Sequence, residues 1–128
     1  LLRRRSRVAS ERPLSPQEQA YLELQRLLEE DLAARDVKLF YVELTAVVRR
    51  YIERTTGIRA PEQTTEEFLR EISRRDTFSP EESQRLRHFL ESADLVKFAA
   101  HQPRREDIEA SFSRAKVFIG LERMEVAA

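Results

Sequence analysis

The chain has no cysteine and no tryptophan, and only two histidines, two glycines and one methionine in 128 residues. Without cysteine there can be no disulfide framework, no thiolate metal site and no cysteine nucleophile. Zinc needs three or four ligands at workable spacing, and His88 and His101 are too far apart to share one helical turn. His88 sits among Arg85, Arg87 and Glu91, as a residue of a solvated helix face would. No glycine-rich phosphate loop and no GxSxG elbow is present. No run of about 20 apolar residues could span a bilayer, and no signal peptide opens the chain. No catalytic residue, metal or cofactor is therefore expected.

Charge of one sign is also lacking overall, since 23 basic residues balance 23 acidic ones. The balance is uneven. Arg3, Arg4, Arg5, Arg7 and Arg12 face only Glu11, so residues 1–12 carry +4 and the remainder −4. A mildly acidic body argues against a whole-domain nucleic-acid binder, because phosphate neutralisation needs a basic face. Basic function is confined to the arm and to a modest edge made by Arg49, Arg50, Arg54 and Arg59, which Glu43, Glu53 and Glu62 interrupt.

What the chain does contain is helix. Charged residues make up 36% and hydrophobic residues 41%, a composition suited to narrow apolar stripes with long solvated faces. Ser15-Pro16-Gln17-Glu18 and Ser79-Pro80-Glu81-Glu82 are capping boxes with proline at the first helical position. Thr64 with Glu67 forms a third box, Asp36 caps another start, and Pro103 marks a fifth. The paired carboxylates Glu66-Glu67 and Glu81-Glu82 then favour first-turn dipoles rather than acid–base chemistry.

The stripes agree with the caps. Helices are predicted over about 16–34 (Tyr21, Leu24, Leu28, Leu32), 37–55 (Phe40, Leu44, Val47, Tyr51, with Tyr41, Val48 and Ile52 widening the stripe) and 65–75 (Phe68, Leu69, Ile72). Two more run from about 80 (Leu86, Phe89, Leu90, Ala93) and over 103–122 (Ile108, Phe112, Ala115, Ile119). Gly57 can take the left-handed conformation that ends the second. The expected fold is all-α, a compact array of about five helices with the second central. It comprises a basic arm at 1–14, one helical domain at 15–122 and a tail at 123–128.

The stretch "SADLVKFAAHQP" is apolar on more than one face, so it is either a buried helix junction or a docking surface. Its candidate partner-binding residues are Asp94, Leu95, Lys97, Phe98 and His101.

Two stretches carry a family resemblance: "FYVELTAVVRRYIERTTGIRAPEQTTEEFLREI", from Phe40 to Ile72, and "ADLVKFAAHQP", from Ala93 to Pro103. Together they resemble the C-terminal cytosolic helical domain of BatD-like bacterial membrane proteins of the aerotolerance (Bat) group. The similarity spans about residues 37–120. Gly57 with Ile58 matches the family's helix end, Thr64, Thr65, Glu66 and Glu67 its capped start, and Asp94 to Phe98 its late motif. The resemblance implies a domain that follows a transmembrane helix, with an extracytoplasmic β-rich region before it. It also implies work alongside a MoxR-type AAA+ ATPase and von Willebrand A-domain proteins, and it brings no catalytic residue.

The opening "LLRRRSR" fits that setting. Arg3, Arg4, Arg5 and Arg7 directly after two leucines suit the cytoplasmic flank of a membrane span preceding Leu1. There they can meet anionic headgroups at about 1 kcal/mol each. A solubilising tail and a nucleic-acid-binding arm are the alternatives. The expectation is a non-enzymatic interaction domain at the cytoplasmic face of a bacterial inner membrane, docking a protein partner. A regulatory nucleic-acid-binding domain using the arm is the second reading.

Overall fold

Helix starts are set by local side-chain chemistry, and three of them close as reciprocal boxes. The amide of Glu18 donates to Ser15 Oγ at 3.0 Å and the amide of Ser15 to Glu18 Oε1 at 2.8 Å. The same exchange links Thr64 with Glu67 at 3.1 and 2.9 Å and Ser79 with Glu82 at 3.0 and 2.9 Å. Asp36 accepts from the Leu39 amide at 3.1 Å. The last helix begins two residues beyond Pro103: the capping residue is Arg104, whose amide donates to Asp107 Oδ2 at 2.9 Å.

A computed structural model describes residues 12–59 and 62–121. Among them are six helices and no strand: α1 (Pro16–Glu29), α2 (Leu32–Arg35), α3 (Val37–Thr56), α4 (Thr65–Ser73), α5 (Pro80–Phe98) and α6 (Arg105–Ile119). The chain is all-α. The arm with Arg3, Arg4, Arg5 and Arg7, and the tail 123–128, lie outside the described residues.

The single helix expected over 16–34 is instead two. Asp31 adopts φ 51°, ψ 43°, in the left-handed region, and breaks the chain between Glu29 and Leu32. Aspartate tolerates that conformation better than most L-residues. Ala20, Leu24 and Leu27 enter the core, Tyr21 is exposed and Leu28 only half-buried.

The central helix is α3, the counterpart of the expected second helix. It packs against α1, α2, α5 and α6, while α5 also receives α4 and α6. Its Phe40, Tyr41, Leu44, Val47, Val48 and Ile52 are buried, whereas Tyr51 lies at the edge of the core. Polar groups on its buried face are satisfied. Tyr41 Oη lies 3.1 Å from Ser111 Oγ of α6, and Thr45 Oγ1 donates to the Tyr41 carbonyl at 2.9 Å. Burial raises the Tyr41 phenol above its ordinary pKa. Two helices end on left-handed glycines, Gly57 at φ 82° and Gly120 at φ 87°.

Candidate functional site

The candidate residues 94–101 fall on the last turn of α5 and the loop after it. That helix stops without glycine. Ala100 takes φ 56°, and the amides of Ala99 and His101 both donate to the Leu95 carbonyl at 3.1 Å. The left-handed residue just past the cap and the His101 amide reaching back six residues close the helix end on one carbonyl. His101 is exposed and contributes its backbone to that end.

The five residues separate by direction. Asp94 and Lys97 turn toward α3. Lys97 Nζ donates to Thr45 Oγ1 at 3.2 Å, lies 3.5 Å from Asp94 Oδ1, and sits 5.5 Å from the centre of the Phe98 ring. Desolvation pushes the Lys97 ammonium below its ordinary pKa, with Asp94 opposing that shift and Arg49 adding to it. Leu95 and Phe98 turn outward, at 53% and 80% exposure, while Val96 between them is buried.

A cleft of about 520 Å³ opens beside this turn, with Val42, Thr45, Arg49, Gln63, Thr65, Asp94, Lys97 and Phe98 among its lining residues. Arg49 is buried at its base. Its guanidinium donates to the Gln63 carbonyl at 2.6 Å and to Thr65 Oγ1 at 2.8 Å, and lies 5.3 Å from the centre of the Phe68 ring. Desolvation lowers its pKa as well. Arg49 therefore ties α3 to the start of α4, and Lys97 ties α5 to α3. The cleft is a built, charged seam whose outer lip is Phe98.

This arrangement alters the reading of the basic edge. Arg49 belongs to the interior, not to a surface track. Arg50 and Arg54 both reach Glu23 of α1, at 3.0 and 3.3 Å. Arg59 remains exposed, 3.8 Å from Glu62. Sequence reasoning missed Thr45 and Arg49 as members of the seam. The available signal was their spacing: Tyr41, Thr45 and Arg49 follow one another at i+4, which extends a core row with polar groups.

As chemistry, the seam holds the carboxylates of Asp94 and Glu66 and two cations, Arg49 and Lys97, that are engaged with protein groups, and it offers a partner an aromatic lip. Among the described residues no group of three or more His, Asp or Glu could hold a metal ion. No described helix is long and apolar enough to cross a membrane. Comparison with family models, curated proteins and solved structures finds no match to this chain.

Proposed function

We propose that this chain is a non-enzymatic protein-docking domain that engages its partner through the C-terminal turn of α5. The observation that carries the reading is Phe98, a large aromatic side chain 80% exposed at the end of an otherwise anchored helix. Leu95 one turn earlier and Val42 across the cleft extend the same apolar surface. Rigid, exposed aromatic anchors beside a polar rim are the features on which binding energy concentrates. Lys97, held by Thr45 and Asp94, gives the rim a fixed positive group.

The arginine-rich opening and the BatD-like resemblance supply the setting in this proposal: the domain hangs from a bacterial membrane on its cytoplasmic side. Its partners there are a MoxR-type AAA+ ATPase or a von Willebrand A-domain protein. Both outward side chains are exposed, so they can be replaced without opening the core. The test is co-purification of the chain with these two proteins from the same bacterium. Retention of either, reduced at least tenfold by Leu95→Asp with Phe98→Asp in a chain of unchanged circular dichroism, is the expected result. Equal retention by the variant, or none by the native chain, refutes the docking role of this turn.

A further inference from the structure

A second surface lies at the opposite end of α5. Its first half and the second half of α6 enclose an open groove of about 770 Å³, larger than the cleft at Phe98. The apolar lining includes Leu86 and Phe89, both buried in the core, and Val117, which is 53% exposed. Phe118 completes the wall, and it is fixed from behind: its ring stacks on Phe78 at 5.7 Å between centroids, with 23° between planes. The groove is thus shaped before anything enters it.

The rim carries charge of predominantly one sign. Arg85 stands on the α5 side and Arg114 on the α6 side, with His88 nearby and Glu81 as the only lining carboxylate. Arg85 and Arg114 are exposed, and neither has a hydrogen-bond or ion-pair partner among the described residues. An apolar floor between two charged rims of this kind is the receiving half of a helix-in-groove interaction, in which apolar anchors recur at i, i+3 or i+4, and i+7.

We infer that the groove between α5 and α6 docks an amphipathic helix of a partner protein whose apolar face is flanked by aspartate or glutamate. Charge selects this occupant. A second copy of the chain, paired through the same face, would bring Arg85 and Arg114 of both copies together, and like charges facing one another suppress association. A small apolar ligand would be left largely uncovered, whereas ligand pockets enclose most of what they bind. The inference does not depend on the role proposed for Phe98, because the groove shares no lining residue with the cleft at the other end of the helix.

The experiment is selection from a displayed library of 20-residue helices with fixed leucines on one face and flanking positions free to be Asp, Glu, Lys, Arg or Ser. The bait is the full 128-residue chain. The expected binders are enriched in Asp and Glu at the flanks. They lose at least tenfold in affinity against Val117→Lys, and against Arg85→Glu combined with Arg114→Glu, and change less than twofold against Phe98→Asp. The arginine pair touches only exposed residues, so a folding defect in the valine variant leaves the test intact. Recovery of no binder, of basic or neutral binders, or of binders sensitive to Phe98→Asp alone overturns the inference. So does a dimer in sedimentation that Val117→Lys dissociates, which would assign the face to a second copy.

Discussion

The end of α5 can be tested by changing one residue in both directions. Ala100 sits at φ 56°, where an L-residue brings its Cβ against the following carbonyl, at a cost of about 1–2 kcal/mol. Glycine removes that cost but adds about 0.5–1 kcal/mol of unfolded-state entropy to be lost on folding. The difference predicts that Ala100→Gly stabilises the chain by roughly 0.5–1 kcal/mol. Ala100→Val crowds the same turn with a branched Cβ and should cost about 1–2 kcal/mol. Urea unfolding followed by circular dichroism, with an unchanged slope, measures both effects. A shift of about 1 kcal/mol moves the melting temperature by roughly 4 °C in a chain of this size, so thermal melts provide a second reading. If Ala100→Gly destabilises by more than about 0.5 kcal/mol, the left-handed end is not present, and the arguments for the placement of Leu95 and Phe98 fail with it.

Four other substitutions test particular contacts. Gly57→Ala meets no atom within 4 Å of the new Cβ, so backbone strain alone should cost about 1 kcal/mol. Gly120→Ala meets Gln17 Nε2 at 2.8 Å, the atom that donates to the Ile119 and Gly120 carbonyls, so it should cost about 1 kcal/mol more. A double-mutant cycle with Gln17→Ala should erase that excess. Leu44→Ala, at a fully buried position of α3, should cost about 2–5 kcal/mol in urea unfolding, and a loss below about 1 kcal/mol would remove it from the core. On the acid side, the Arg12 guanidinium, followed by the Ser15 amide, holds Glu18 at about 2 against an ordinary 4.5. Its folded form binds fewer protons than its unfolded form in that window, so its stabilisation is present above about 4.5 and is lost as pH falls toward 2. Glu18→Gln should flatten the pH dependence of the melting temperature between those limits, and an unchanged profile would dismiss the pair.

The helix starts were legible because a cap is a local event. Serine or threonine followed by glutamate at the third helical position satisfies two amides whatever surrounds it. The stop at Asp31 was not legible, because no glycine or proline marks it: an aspartate takes the left-handed conformation that sequence rules assign to glycine. Of the expected stripe, Leu24 and Leu32 are buried, while Ala20 and Leu27 take the core places that the spacing assigns to Tyr21 and Leu28. The candidate site was legible in composition but not in direction. Periodicity separates Val96 from Leu95 and Phe98, yet it does not say which side of a helix its neighbours leave open. The groove along α5 and α6 was not legible at all, because it depends on how two helices distant in sequence lie side by side and on the ring of Phe78 arriving from the connection before α5.

The division of labour within α5 follows from this geometry. Leu86, Phe89, Leu90, Ala93 and Val96 form one buried row, and it is enough to seat the helix between α3, α4 and α6. The end of the helix is held by polar contacts. Lys97 is fixed through Thr45 and Asp94, and the last turn is closed on the Leu95 carbonyl by the backbone. Phe98 is 80% exposed, so removing it costs the fold little beyond a modest cation–π contact worth about 0.5–1 kcal/mol. An aromatic side chain positioned by neighbours that do not need it has no structural reason to be large and apolar. On the docking proposal, its size is accounted for by the partner surface that it would enter. The same reasoning applies to Val117 at the groove, where Leu86, Phe89 and the Phe78–Phe118 stack already complete the packing beneath it.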